Sequence, residues 1–109
     1  MTDQQKNELD NIVKTIADTG MASKIILFGS FARGDETKDS DIDLCVLTPI
    51  TNRRTRDITV DLRQKLWDVQ KKLPLDLLTY NQERFEYQAS RDRSFESIII
   101  KEGVVLYEG

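Results

Sequence analysis

The chain has 109 residues, of which 39% are hydrophobic and 32% are charged, a balance typical of a soluble globular protein with one domain over residues 1–109. Its single cysteine excludes an internal disulfide, and the absence of histidine excludes Ser-His-Asp or Cys-His catalysis and leaves carboxylates and metal ions as chemical tools. The net charge of −3 predicts no direct binding of nucleic acid, and without a secretory signal or a membrane-length apolar stretch we expect a cytoplasmic protein.

The first half of the chain alternates between apolar segments of helical and strand length. Apolar side chains recur three and four residues apart in the first segment, and strand-like runs follow it. The predicted elements are a helix over about Asp3–Thr19 with Gly20 at its C-cap, a buried strand over Ser23–Phe28, a helical turn over Ser30–Ala32, a polar loop over Arg33–Ser40 and a second strand over Asp41–Leu47, in which Cys45 is buried.

The second half predicts three further helices and two further strands. Arg53, Arg54 and Arg56 form a basic cluster, which we interpret as the exposed start of a helix rather than as a binding patch. The predicted elements are a long helix over about Asn52–Lys72, a third strand over Leu75–Thr79 after Pro74, a helix over Asn81–Ala89, a loop over Ser90–Arg93, a helix over Phe95–Glu102 that stops at Gly103, and a strand over Val104–Tyr107.

Asp41 and Asp43 are the first candidate site residues. Residues two apart on a strand project from the same face, so both carboxylates lie about 7 Å apart at the backbone, opposite Ile42, Leu44 and Val46. They could simply belong to the polar face of a half-exposed strand. However, aspartate is depleted in strands, and like charges on one face repel. A bound cation would remove the repulsion, so the pattern favours a metal site.

Asp76 is the third candidate carboxylate. It interrupts the apolar run Leu75-Asp76-Leu77-Leu78, which we expect to form a central strand, where a lone aspartate would be costly to bury without a partner. If its strand lies beside that of Asp43, three carboxylates surround one spot, and hard oxygen ligands suit Mg²⁺. Two ions about 4 Å apart could bind a triphosphate and activate an attacking hydroxyl, with the third carboxylate as the general base.

Gly29-Ser30 is a candidate phosphate site because it joins a strand to a helical turn. Such a turn presents free backbone N–H groups, and glycine lets an anion approach the main chain. Ser30 adds a hydroxyl, and Arg33 could place a guanidinium beside the same phosphates. Taken alone, the dipeptide more often marks an ordinary turn, and Arg33 could equally be a solvated side chain. Their position between a strand and a helical turn favours a phosphate site.

Two motifs follow each other in the sequence: Gly29-Ser30-Phe31-Ala32-Arg33-Gly34 and then Ser40-Asp41-Ile42-Asp43-Leu44. Together they resemble the glycine-serine and SDxDL signature of the minimal nucleotidyltransferase (MNT) family, in the DNA polymerase beta superfamily. The resemblance spans about Ser23 to Tyr107. It implies an α/β fold with a mixed sheet of about four strands and helices on one side. It also implies Mg²⁺-dependent transfer of NMP, with ATP as the usual donor, to a hydroxyl group.

The resemblance also implies roles for the candidate residues. Asp41 and Asp43 would bind the metal ions, and Asp76 would contact one of them and help to deprotonate the acceptor. Gly29, Ser30 and Arg33 would hold the triphosphate of ATP.

Standalone chains of this length resemble the antitoxin half of HEPN/MNT toxin–antitoxin pairs, in which the MNT protein modifies a tyrosine of a HEPN RNase with AMP. This partner is therefore the acceptor that we expect. Larger relatives modify aminoglycosides and use an extra helical domain that this chain lacks. The preferred nucleotide and the oligomeric state, homo-oligomer or hetero-oligomer, stay open.

Two functions of other classes compete with nucleotidyl transfer. One is an antitoxin that neutralises its partner by binding alone, and the intact motifs argue against it. The other is a phosphatase of the haloacid dehalogenase kind, in which an aspartate becomes phosphorylated. Its carboxylates lie at the C-terminal end of a strand, whereas Asp41 and Asp43 open one.

Overall fold

The computed structural model describes residues 1–109, which form five helices and four strands. In chain order the elements are α1 (Asp3–Asp18), β1 (Lys24–Phe28), α2 (Ser30–Arg33), β2 (Ile42–Thr48), α3 (Thr55–Lys65), β3 (Leu75–Asn81), α4 (Gln82–Ala89), α5 (Phe95–Glu102) and β4 (Val104–Glu108). The strands form one mixed sheet in the order β3-β2-β1-β4, in which β2 and β3 are parallel and the other pairs antiparallel. The predicted α/β fold with a four-stranded mixed sheet is confirmed.

Local signals explain where α1 begins and ends. The Thr2 hydroxyl accepts a hydrogen bond from the Gln5 amide at 3.1 Å, and the Gln5 side chain accepts one from the Thr2 amide at 2.9 Å. This reciprocal capping box satisfies two amides that have no partner inside the helix. Gly20 follows with a φ of +74°, a left-handed conformation that ends a helix at low cost for glycine. The predicted C-cap glycine is therefore confirmed.

The prediction of one long helix over Asn52–Lys72 is wrong, because α3 covers only Thr55–Lys65 and turns follow it. The last residues of the predicted helix are instead held by a contact distant in sequence. The Glu8 carboxylate accepts hydrogen bonds from the amides of Lys71, Lys72 and Leu73 at 2.8–3.1 Å. These amides point at α1 instead of at helical carbonyls, so the segment leads Leu73 into the core.

Replacing Glu8 by Gln is expected to destabilise the fold by about 1–2 kcal/mol at neutral pH, since it removes charge-assisted hydrogen bonds. Partial burial raises the pKa of Glu8, but the three backbone hydrogen bonds outweigh it and hold the pKa below its usual value. A lowered folded-state pKa means that the contribution is complete above the unfolded-state pKa of about 4.3 and is lost as the pH falls further.

Urea unfolding of both proteins at several pH values measures this contribution. The difference between wild type and Glu8→Gln should be largest near pH 7 and shrink in acid. A difference that does not change with pH would contradict the assigned role of the carboxylate.

Helices cover both faces of the sheet, so the expectation of helices on one side is wrong. On one face the core contains residues of α1, α3 and the strands, among them Ile12, Ile16, Leu44, Val46, Ile58 and Leu62. On the other face α4 and α5 contribute Phe85 and Ile99, which pack on Ile26, Cys45 and Leu47. The physical reason lies in β2, whose residues from Leu44 to Leu47 are apolar on both faces and need cover on both.

Cys45 is fully buried in this second layer, as predicted. Burial raises the pKa of its thiol to about 12, so the side chain is an apolar core residue and not a nucleophile at neutral pH. None of the five helices is long and apolar enough to cross a bilayer.

Candidate active site

The register of the sheet brings Asp43 and Asp76 side by side. They are direct partners in the parallel pair of β2 and β3, whose neighbouring backbones lie about 4.8 Å apart. Phe28, the last residue of β1, pairs with Asp43 on the side opposite Asp76. The side chains of Phe28, Asp43 and Asp76 therefore project from the same face of the sheet. Asp41 immediately precedes β2 and is two residues from Asp43. The three predicted carboxylates thus lie at one end of the sheet.

Asp76 reaches this position without being buried. We expected a central strand, but β3 is at the edge of the sheet, and Asp76 is exposed. The argument from burial cost is therefore wrong for this residue. Its association with Asp43 rests on strand register alone.

The surroundings of Asp43 disfavour its charged form. Partial burial raises its pKa above the usual range, the charges of Asp76 and then Asp41 raise it further, and Arg33 opposes them. Such repulsion at one spot disfavours the charged form. A cation bound between the carboxylates would stabilise all three, so the donor set fits a hard divalent metal ion.

The three carboxylates do not converge on one point in this structure. Asp41 and Asp76 are exposed, and no three acidic side chains or thiols are close enough together to enclose an ion. Holding one metal ion between them therefore requires Asp41 and Asp76 to turn towards Asp43.

Gly29 occupies a position that only glycine fits. Its φ of +76° and ψ of −156° lie in a region that side chains disfavour. A Cβ atom there would also collide with the Asp43 carboxylate oxygen. The backbone of the turn therefore lies directly against the central carboxylate, which explains why a glycine stands at the end of β1.

The α2 turn that follows is closed by its own backbone. The amides of Ala32 and Arg33 both donate to the Gly29 carbonyl at 3.1 Å, and the Ser30 carbonyl accepts from the Gly34 amide at 2.9 Å. Gly34, with a φ of +81°, ends the turn. The first amides of a helix have no acceptor inside it, so those of Ser30 and Phe31 can serve a ligand, together with the Ser30 hydroxyl.

Arg33 is held by two acidic residues that the sequence reasoning missed. Its Nε donates to the Asp35 carboxylate at 3.2 Å, and its Nη1 donates to Glu102 at 3.4 Å. Asp35 first and Glu102 second raise the pKa of the guanidinium, which stays charged. No sequence signal could have paired Arg33 with Glu102 at the end of α5, because 69 residues separate them.

Ser40 of the motif has a structural role in the loop before β2. Its hydroxyl accepts a hydrogen bond from the Thr37 amide at 2.9 Å and so closes the turn that leads to Asp41.

The three aspartates line no cavity of the protein. A polar depression of about 310 Å³ beside them includes Phe31, Ser40 and Pro74. The carboxylates therefore lie on an open surface.

Comparison with known proteins identifies related sequences. The family model described as nucleotidyltransferase domain matches residues 6–106. A protein of Methanocaldococcus jannaschii, provisionally named a protein adenylyltransferase, is 35% identical over 88 residues, which are 81% of each chain. The family match includes all of the candidate site residues, from Gly29 to Asp76.

Solved structures show the same fold. A toxin–antitoxin complex crystallised with AMP-PNP aligns with a TM-score of 0.64 at 25% identity, over 94% of this chain and 74% of that one. A protein of Sulfolobus solfataricus, provisionally named a nucleotidyltransferase, gives 0.60 at 20% identity, over 94% and 78%. A mutant of the toxin–antitoxin pair MntA–HpeT gives 0.61 at 22% identity, over 92% and 73%.

Proposed function

Because the chain belongs to the nucleotidyltransferase domain family, we propose that it transfers AMP from ATP to a tyrosine hydroxyl of a partner HEPN RNase toxin and so acts as an antitoxin. The observation that carries this proposal is the register of β2 and β3, which sets Asp76 beside Asp43 at the strand end next to Gly29. A glycine turn against paired carboxylates suits a nucleoside triphosphate with its bound Mg²⁺ ions.

In the proposed reaction the acceptor oxygen attacks the α-phosphorus of ATP. The bond from this phosphorus to the oxygen that bridges to the β-phosphate breaks, and pyrophosphate leaves. Ser30, the turn amides and Arg33 would hold the triphosphate. Asp76 would accept the proton of the acceptor hydroxyl, because its exposed carboxylate is accessible from solvent.

The carboxylates of Asp41, Asp43 and Asp76 would together hold two Mg²⁺ ions. When bound, Mg²⁺ neutralises the phosphate charge and lowers the pKa of the attacking hydroxyl. Arg33 can add a positive charge next to Asp43, whose carboxylate it already stabilises from a distance.

The open surface around the carboxylates favours a macromolecular acceptor. Small-molecule sites are concave and bury most of their ligand, whereas no cavity encloses these side chains. A partner protein would supply the missing walls. The provisional name of the Methanocaldococcus relative and the presence of toxin–antitoxin complexes among similar structures support the same choice.

The proposal is tested with ATP labelled in the α-phosphate, Mg²⁺ and a HEPN protein encoded beside this chain. We expect label on the partner, a mass increase of one AMP on a tyrosine, and loss of its RNase activity. ATP labelled in the γ-phosphate should leave the partner unlabelled. Replacing the modified tyrosine of the partner by phenylalanine should abolish labelling.

Two results would contradict this function. Label from the γ-phosphate would indicate a kinase. Neutralisation of the partner without any label, unchanged when ATP and Mg²⁺ are omitted, would indicate an antitoxin that acts by binding alone.

A further inference from the structure

Phe95 is an aromatic residue at the catalytic end of the sheet to which the proposed chemistry gives no role. It opens α5 and lies one turn before Ile99, on the same side of the helix. Ile99 is 1% exposed over the sheet, whereas Phe95 is 51% exposed. The apolar side of α5 therefore continues past the covered part of the sheet.

The ring of Phe95 packs on Phe28. The two rings meet edge to face, with centroids 6.1 Å apart and an angle of 83° between their planes. Phe28 pairs with Asp43 and directly precedes Gly29. The open half of the Phe95 ring thus belongs to the strand end that carries the carboxylates and the glycine turn.

The first turn of α5 is fixed in place. Ser94 accepts a hydrogen bond from the Ser97 amide at 3.0 Å, and the Ser97 hydroxyl donates to the Ser94 carbonyl at 2.7 Å. The Glu96 carboxylate accepts a hydrogen bond from the Tyr80 hydroxyl at 2.7 Å, which ties the turn to β3. Phe95 is therefore an exposed ring on a rigid support, which reduces the ordering cost of binding.

We propose that Phe95 is the stacking surface for the base of the nucleotide. The inference rests on the proposed nucleotidyl transfer and adds to it the binding of the base. A phenyl ring reads the size of a base and none of its hydrogen-bonding edges. The site therefore prefers purines over pyrimidines and discriminates weakly between adenine and guanine.

The test compares AMP-PNP with tripolyphosphate, which has the phosphates and no base, by calorimetry in the presence of Mg²⁺. Replacing Phe95 by Ala should weaken AMP-PNP binding about fivefold or more, the lower range for loss of one base stack, and leave tripolyphosphate binding unchanged. Phe95→Trp should retain AMP-PNP binding. Trp67→Ala, at an 84% exposed aromatic residue after α3, is the matched control and should change neither.

A second measurement uses the nucleotide preference in the transfer reaction. Phe95→Ala should lower the ratio of kcat/KM for ATP to kcat/KM for CTP, because the KM for ATP rises while kcat changes little. Thermal unfolding establishes that the variant is folded, and Phe95→Leu keeps most of the apolar contact with Phe28 while removing the aromatic face.

The outcomes separate this inference from the function on which it rests. Unchanged AMP-PNP binding by Phe95→Ala, or equal weakening of tripolyphosphate, would overturn the stacking role. Unchanged nucleotide binding with a raised KM for the protein acceptor would assign Phe95 to the partner interface instead. If the wild type binds neither AMP-PNP nor tripolyphosphate, the proposed function itself fails.

Discussion

Replacing Asp43 by Asn is expected to reduce nucleotidyl transfer at least about 100-fold. Removing a residue that only hydrogen-bonds to a metal ligand lowers metal affinity or activity about 10–100-fold. Asp43 would bind the metal directly, so its loss should cost at least as much. It also lies between Asp41 and Asp76, so no neighbouring carboxylate can take its place. Transfer of α-phosphate label to the partner measures the effect.

The same substitution should not destabilise the protein. Burial and the neighbouring carboxylates raise the pKa of Asp43, so its charged form disfavours the folded state at neutral pH. Asparagine removes this charge, and we expect an equal or higher Tm at pH 7, with a smaller difference in acid. Asp68→Asn, at an exposed position outside the site, is the matched control and should keep full activity. Activity near that of the wild type in Asp43→Asn would refute the assigned site.

Replacing Gly29 by Ala is expected to impair both folding and catalysis. The backbone angles disfavour a side chain, which costs about 1–3 kcal/mol, and the added Cβ would displace the Asp43 carboxylate. We expect the free energy of unfolding to fall by about 2 kcal/mol or more. Transfer should fall as strongly as in Asp43→Asn, because the carboxylate no longer keeps its place.

Gly20 provides the comparison, since its φ of +74° is similar and no atom lies within 4 Å of an added Cβ. Gly20→Ala should lose about 1 kcal/mol through backbone strain alone and retain activity. Urea unfolding and labelling assays on the two variants separate strain from the contact with Asp43. Equal activity of both variants would show that the glycine turn has no catalytic role.

Local patterns predicted most of the fold. Helical spacing located α1, and strand-length apolar runs located β1 to β4, because each element displays its own period in the sequence. The pairing of Asp41 with Asp43 also follows from one strand and its alternation. Gly20 marked the end of α1, since a left-handed residue is a local requirement.

Contacts between distant segments were the ones that sequence did not predict. The segment that leads from α3 to β3 is held by Glu8 in another helix, and Arg33 is held by Glu102 at the end of α5. Asp76 illustrates the same limit. Its strand does lie beside that of Asp43, which the sequence argument set only as a condition. The expected burial of Asp76 was wrong, because a run of apolar residues does not distinguish a central strand from an edge strand.

The parallel register of β2 and β3 also determines where the chain tolerates changes in length. The amide of Ile42 donates to the carbonyl of Pro74 at 2.8 Å, so the alignment of the two aspartates is fixed at the strand entrances. Additional residues in the exposed stretch 51–54 would lengthen the loop between β2 and α3 without moving the carboxylate of Asp43 or Asp76. One additional residue between Pro74 and Asp76 would instead rotate that carboxylate to the α1–α3 face of the sheet.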